Sequence, residues 1–279
     1  MRKRFLYLDT FATVRTAADV ALAAAIRDHI ASEGFVLVVG TQNLREFVSW
    51  PKRWAEVTSF VSSVPFCVAQ NPEEIIAQEV ASYPNELASL PLLFSSSDYS
   101  SSDGEMADLL FRLKEGLAKA DRRFRAHVKE VFEAVLAKRQ QFLPEKEGKY
   151  SSTERQMFMQ SSVFAMLFPE HRDFLSRALA AARADGQEEG VRIERFKSIY
   201  IQALAIFTEF YVQKKPGKLS DMGDILQLSL APYVDLSVLD NERTNLVHRF
   251  NRERLLPVHL QACSFSDFKA EVNNSSLPS

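Results

Sequence analysis

Cysteine and glycine are scarce in this chain. The two cysteines, Cys67 and Cys263, lie far apart and have no C-x-x-C spacing, so the sequence predicts neither a zinc site nor a disulfide framework. The nine glycines form no glycine-rich phosphate loop. The serines and the five histidines show no nucleophile, base and orienter series, which argues against a hydrolase of the catalytic-triad type. A reducing cytosol is the expected setting.

Long apolar runs are absent as well. No segment approaches the length of a transmembrane helix. The apolar stretch after the basic residues 2–4 is interrupted by Asp9 and is too short for a signal-peptide core. The sequence therefore predicts a cytoplasmic protein with no membrane partner.

A strong net charge is also missing. The 34 Lys and Arg residues nearly balance the 36 Asp and Glu residues, so contact with nucleic acid would have to use a local basic patch. One basic patch runs from Arg112 to Arg139, and a second comprises Arg249, Arg252 and Arg254. Runs of this kind are usually solvated helix faces, but clustered guanidinium groups can also bind a phosphate backbone.

The chain does contain two apolar strands that each end in an aspartate. Residues 5–8 run directly into Asp9, and residues 236–239 run directly into Asp240. In an open parallel α/β sheet, ligand sites collect outside the carboxyl ends of the strands, so the two acids should meet in one crevice. Clustered carboxylates suit Mg²⁺ or Mn²⁺, which bind through a few carboxylates, water and substrate phosphates. The pattern predicts metal-assisted phosphodiester hydrolysis.

Residues 220–240, together with the strand that ends at Asp9, resemble a PIN or PIN-like nuclease domain. The resemblance implies a three-layer α/β/α fold with a central parallel sheet of four or five strands. It also implies four acids around one or two Mg²⁺ or Mn²⁺ ions: Asp9, Glu46 on an early helix, Asp224 on a late helix, and Asp240. Asp221, three residues before Asp224, is the alternative third ligand.

The sequence departs from the family pattern in two places, and several acids have structural interpretations. Relatives often carry a histidine after the late-helix aspartate, where this chain has Gln227, and Asn241 rather than an acid follows Asp240. Asp9 and Asp240 could simply cap helices or form turns. Asp221 could lie in the first helical turn behind Ser220 as N-cap.

Two other acids also have structural readings. Glu46 could be a surface partner of Arg45 or Lys52. Asp235, on the entry side of the last strand, is interpreted as structural.

The chain is expected to fold as a discontinuous core with a helical insertion. Residues 1–70 and 195–272 are predicted to form the PIN-like α/β core, 71–194 an all-helical insertion, and 273–279 a flexible tail. Within the core, helices are expected at 17–32, 41–50 and 51–62, a strand at 35–39, and either a third strand or a buried extended piece at 65–69. The serine-rich segment 94–103 is expected to be a loop. Helices are predicted at 105–142, 152–167, 171–184 and 189–213, and the phenylalanines are assigned to core packing.

Two functional hypotheses follow from this sequence, and a phosphatase-like or flap-nuclease-like hydrolase that uses the same acids has the same sequence pattern as the first. The first is a metal-dependent endonuclease whose substrate is nucleic acid, with RNA favoured over DNA by the resemblance alone. The second is a non-catalytic PIN-like module that binds a protein or nucleic-acid partner through its helical insertion. Under either hypothesis, a protein partner or inhibitor could bind to the insertion.

Overall fold

The computed structural model describes residues 3–48, 51–83, 85–96, 116, 125–141, 149–166, 172–173, 176–177, 193–213 and 217–275. The chain divides into two compact units. The first comprises 1–71, 90–122 and 233–279, and the second comprises 72–89 and 123–232. The second unit therefore includes 195–232, a segment that the sequence analysis assigned to the α/β core.

The first unit is built around a sheet of six strands. The strands are β1 (Arg4–Leu8), β2 (Phe35–Val39), β3 (Phe66–Ala69), β4 (Leu92–Ser95), β5 (Leu236–Leu239) and β6 (Ala262–Ser264). Its helices are α1 (Thr10–Ala17), α2 (Val20–Glu33), α3 (Thr41–Val48), α4 (Pro51–Ser62), α10 (Asn241–Arg252) and α11 (Phe265–Ser275). The α/β class is thus confirmed.

The strand order in the sheet is β4-β3-β2-β1-β5-β6. All neighbouring strands are parallel except β3 and β4, which are antiparallel. The five parallel strands agree with the prediction of a central parallel sheet of four or five strands, but that prediction is wrong in one respect, because β4 adds a sixth, antiparallel strand at one edge. The order of the parallel strands reverses at β1, between β2 and β5. Open α/β sheets bind ligands at the carboxyl ends of the strands at such a point.

Alternate residues of the strands form one face of the sheet. Leu6, Leu37, Val68 and Val238 belong to one cluster with apolar residues of helices α1–α4 and α11. Residues on the opposite face, such as Tyr7, are also buried. Strands of a parallel sheet that is covered on both faces are continuous apolar runs in the sequence. This is why strands at 5–8 and 35–39 could be predicted.

The segment between β1 and β2 contains two helices rather than the single helix predicted at 17–32. Asp19 separates them, because its side chain accepts a hydrogen bond from the Leu22 N–H at 3.1 Å and so starts α2 afresh. Gly34 ends α2 with φ +66°, a left-handed conformation that favours glycine. The chain can then turn directly into β2.

The described part of the second unit is helical. It contains α5 (Pro72–Ser82), α6 (125–141), α7 (Ser152–Met166), α8 (Lys197–Ile206) and α9 (Leu219–Gln227). A π-helical turn (Phe207–Val212) and 3₁₀ turns (Ile193–Arg195 and Leu228–Tyr233) complete it. The expected helix at 189–213 is thus broken into three conformations, and most of the helix expected at 171–184 lies outside the described residues.

Aromatic side chains fill the core of the second unit. Phe158 packs on Tyr211 with ring centroids 4.7 Å apart and lies 6.2 Å from Phe207. Phe158, Phe196, Phe207 and Phe210 are buried, which confirms their assignment to core packing. No helix in the described part of the chain combines the length and apolar character needed to cross a membrane.

Candidate functional site

The candidate site lies at the carboxyl ends of β1 and β5. These strands are neighbours, with Leu8 opposite Val238, and the Asp9 N–H donates to the Val238 carbonyl at 3.0 Å. Asp9 directly follows β1, and Asp240 directly follows β5. Both carboxylates therefore leave the same edge of the sheet on adjacent strands, as the strand pattern predicts.

Asp9 is buried and caps the helix that follows it. Its Oδ1 accepts a hydrogen bond from the Ala12 N–H at 2.6 Å, and its carbonyl accepts one from the Thr13 hydroxyl at 2.8 Å. The capping interpretation of Asp9 is thus confirmed as a local role.

Asp240 repeats this local arrangement. It is half-buried, and its Oδ1 accepts a hydrogen bond from the Arg243 N–H at 2.9 Å at the start of α10. Each acid therefore sits between a buried strand and the positive end of a helix dipole, a setting that favours negative charge. Fixing each carboxylate by a backbone hydrogen bond also fixes the direction in which it can present its other oxygen.

Glu46 is half-buried on α3, the helix after β2. Its Oε1 accepts a hydrogen bond from the Gln42 side-chain amide at 3.3 Å. The helix itself starts at the same sheet edge as Asp9, because β1 and β2 are parallel neighbours. Glu46 thus belongs to the same unit as Asp9 and Asp240, and it is the sixth residue of α3, about one and a half turns into the helix.

Asn43 is a site residue that the sequence analysis missed. It is buried, its Oδ1 accepts from the Gly40 N–H at 3.0 Å, and its amide donates to the Thr10 hydroxyl at 3.1 Å. The side chain therefore ties the end of β2 to the residue directly after Asp9. The sequence signal for Asn43 was an amide side chain in the first turn of a helix that follows a buried strand.

Two arginines on the neighbouring helices were also missed as part of this region. Arg45 on α3 is 6% exposed and Arg243 in the first turn of α10 is 3% exposed. A buried guanidinium requires anionic or hydrogen-bonding surroundings. These groups add positive charge on the two helices that start beside the aspartates.

The two candidates for the third ligand belong to the second unit. Asp221 lies in the first turn of α9, and its Oδ2 accepts from the Lys218 N–H at 2.6 Å. The helix begins at Leu219 with Lys218 as its N-cap, so the expectation that Ser220 is the N-cap is wrong. Asp221 itself closes the start of the helix, as its structural interpretation required. Asp224, half-buried, lies one turn later.

Asp235 has the structural role that was expected of it. Its carboxylate accepts a hydrogen bond from the Phe5 N–H at 2.7 Å, and its own N–H donates to the Phe5 carbonyl at 2.9 Å. These contacts fix β5 against β1 at the edge opposite the candidate site. They therefore help to set the register in which Asp9 and Asp240 follow two adjacent strands.

The basic patches contain residues that are already engaged within the protein. Arg139 is buried and donates to the Gln213 carbonyl at 3.0 Å, and Lys138 lies 5.7 Å from the Phe158 ring, with its pKa lowered by burial. In the second patch, Arg249 pairs with Glu253 at 3.0 Å. Arg252 is the last residue of α10, 12 residues after Asp240, so about 18 Å of helix separate these two residues.

The acids fit a hard divalent cation as partial ligands. In the described ranges, no three His, Cys, Asp or Glu side chains come together as a metal-binding group. Mg²⁺ commonly uses only one or two carboxylates and completes its shell with water and substrate phosphates. Asp9 and Asp240 could supply that pair. The donor set is therefore suited to an open site that a phosphate substrate completes.

Comparisons with protein-family models, with curated proteins and with solved structures found no match.

Proposed function

We propose that this protein is a PIN-like, metal-dependent endonuclease that hydrolyses phosphodiester bonds, with RNA as the favoured substrate. The observation that supports it most is the position of Asp9 and Asp240, which directly follow the carboxyl ends of the adjacent parallel strands β1 and β5. This is the point at which the strand order reverses, and open α/β sheets bind their ligands there.

The proposed roles divide among the residues of that edge. Asp9 and Asp240 would hold Mg²⁺ or Mn²⁺, with Glu46 as the further acid of the same unit. The ion would activate a water and stabilise the charge that develops on the scissile phosphate. Asn43 would position the start of α1, and with it Asp9, through its hydrogen bond to Thr10.

The surroundings of the acids are compatible with an anionic substrate. Two carboxylates alone would repel a phosphate, but Arg45 and Arg243 are buried on the helices that begin at this edge. Their guanidinium groups offset part of the negative charge in a poorly solvated region, where charges interact strongly. A bound divalent ion would supply the remaining positive charge that is needed to balance the carboxylates.

The test is cleavage of labelled single-stranded RNA and DNA by the purified protein with Mg²⁺ or Mn²⁺. We expect cleavage that requires the metal and disappears in Asp9→Asn and Asp240→Asn. The matched control is Asp19→Asn, because Asp19 also caps a helix, accepting from the Leu22 N–H, but does not follow a strand. Asp19→Asn should cleave like the wild type.

The alternative is a non-catalytic module that binds a partner through its second unit. It is favoured by the hydrogen bond that the Glu46 carboxylate accepts from the Gln42 side-chain amide at 3.3 Å. If the wild type cleaves neither substrate and calorimetry detects no binding of Mn²⁺, the nuclease proposal fails and this alternative replaces it.

A further inference from the structure

An exposed phenylalanine lies beside the candidate site. Phe11 is the second residue of α1, two positions after Asp9, and 49% of it is exposed. Apolar side chains of this size normally turn inward, and its neighbours Ala12 and Thr13 are buried. Phe11 therefore presents an aromatic surface to solvent at the carboxyl edge of the sheet.

A second aromatic ring supports Phe11 from the other side of β5. Phe265 is the first residue of α11 and directly follows β6, so it lies at the same edge. The two rings are 5.8 Å apart at 84°, an edge-to-face geometry that holds aromatic pairs in place. Since β5 lies between β1 and β6, this pair spans the end of the strand that leads into Asp240.

A cation accompanies the exposed ring. The Arg15 guanidinium carbon lies 5.2 Å from the Phe11 ring centroid, within the range of a cation–π contact. Arg15 is exposed, and no Asp or Glu of the described residues forms an ion pair with it. The aromatic face of Phe11 and the planar cation of Arg15 thus lie in contact, one helical turn apart on α1. Both are close in sequence to the proposed metal ligand Asp9.

We propose that Phe11, supported by Phe265 and Arg15, is a stacking platform for an unpaired base of a single-stranded nucleic acid substrate. The inference deepens the proposed nuclease function and rests on it. Base stacking on aromatic rings needs a fixed, exposed ring beside a positive charge for the backbone. A platform two residues from Asp9 would place the adjoining phosphate at the crevice and would select single strands over duplexes.

Binding is measured separately from cleavage. Fluorescence anisotropy of labelled single-stranded RNA is recorded in EDTA, so that no hydrolysis can occur. We expect Phe11→Ala to weaken binding about 5- to 100-fold, the loss typical of one stacked base, and Phe11→Leu to weaken it nearly as much, because leucine keeps apolar bulk without an aromatic face. Arg15→Gln should reduce by about 0.7 the magnitude of the slope of log binding constant against log salt concentration. Val20→Ala is the control, since Val20 is 83% exposed and has no aromatic partner among the described residues.

A second readout reports stacking itself. In Phe11→Trp, single-stranded RNA should quench tryptophan fluorescence beyond the change seen in the wild type, which already has two tryptophans. Equal binding by wild type and Phe11→Ala would overturn the platform while leaving metal-dependent cleavage intact. Weak binding by Phe11→Leu in a normally folded, metal-binding protein would support it. A wild type that binds no single strand would overturn the platform, and the cleavage assay would then decide the nuclease proposal by itself.

Discussion

At the scale of single residues, Asp9 is the N-cap of α1 and also a proposed metal ligand. Substitutions can separate these two roles. Asparagine is as good an N-cap as aspartate, so Asp9→Asn should keep the hydrogen bond from Ala12 and leave the free energy of unfolding within about 0.5 kcal/mol of the wild type. Asp9→Ala should cost about 1 kcal/mol through the lost cap. Urea denaturation measures both.

Activity should respond differently to the same two changes. Both variants lose the charge, so both should lower cleavage by at least about 100-fold, since changing even the partners of metal ligands costs about 10- to 100-fold. If Asp9→Asn cleaved normally, Asp9 would be only a cap. Asp19→Ala serves as the control for a cap without a catalytic role, because it should lose stability alone.

Burial of the two thiols predicts a loss of stability in mild alkali. Desolvation raises the pKa of Cys67 from its ordinary 9.0 to about 12, and burial followed by Glu271 and Asp267 raises that of Cys263 to about 12. Below pH 9 both states keep the protons. Above it the unfolded chain releases them while the folded protein does not, so the free energy of unfolding falls, by up to about 1.4 kcal/mol per thiol and pH unit.

The thiol contribution can be isolated below the ordinary pKa of tyrosine, because Tyr200 and Tyr211 also have raised pKa values owing to burial. Denaturation midpoints between about pH 8.5 and 9.8 should decline less steeply in Cys67→Ala than in the wild type. An unchanged slope would show that Cys67 ionises normally. Cys67→Ala should also lower the free energy of unfolding at every pH, because the lost sulfur leaves a small cavity. The comparison of slopes does not depend on this loss.

The site residues differed in how far the sequence could reveal them. Asp9 and Asp240 could be predicted because each directly follows an apolar run, and a strand followed by an acid is a local pattern. Asn43 had only its position in the first turn of a helix behind a strand as a signal, and Arg45 and Arg243 had none. What distinguishes all three is burial, which depends on helices α3 and α10 packing beside the sheet. A polar residue in a helix gives no sequence signal of being buried.

At the scale of the elements, two glycines should respond to alanine in opposite ways. Gly34 ends α2 at φ +66°, so Gly34→Ala should cost about 1 kcal/mol in strain even though nothing lies within 4 Å of the added methyl group. Gly223 lies inside α9 with equally open space, so Gly223→Ala should stabilise by about 0.5–1 kcal/mol.

Chemical denaturation of both variants tests this pair. Gly34→Asn is the control, because asparagine tolerates the left-handed conformation better than alanine and should cost less. Equal losses for Ala and Asn at position 34 would contradict the conformational argument and point instead to a contact of the side chain.

The missed elements were short or weakly patterned. β6 has three residues, Ala262–Ser264, of which only Ser264 is buried, so it lacks the apolar run that revealed β1 and β2. β4 ends in Phe94 and Ser95, at the start of a serine-rich segment that resembles a loop. It becomes a strand because it pairs with β3, where Cys67 lies opposite Ser95. Pairing partners of this kind are not encoded locally.

At the scale of the whole molecule, the second unit is assembled from distant parts of the chain. Residues 72–89 join 123–232 in one compact unit, although β4 returns the chain to the first unit immediately afterwards. Glu79 on α5 provides one connection. It is 1% exposed, and its Oε1 accepts from the Ser198 N–H at 2.7 Å at the start of α8, while the Ser198 hydroxyl donates to the Ser229 carbonyl at 2.7 Å.

Removal of the Glu79 carboxylate should destabilise the second unit selectively. Glu79→Ala leaves the buried Ser198 N–H without its acceptor, which should cost about 1.5–3 kcal/mol. Amide hydrogen exchange followed by mass spectrometry should speed up in 72–82 and 197–212, while β1, β2 and β5 keep their protection, because stability is distributed in local cooperative units.

Glu86→Ala is the matched control. Glu86 pairs with Lys197 at 2.9 Å between the same two segments but is half exposed, so its loss should cost less than about 1 kcal/mol. Faster exchange throughout the sheet in Glu79→Ala would instead mean that the two units unfold as one, and that Glu79 stabilises the strand ends carrying Asp9 and Asp240 as well.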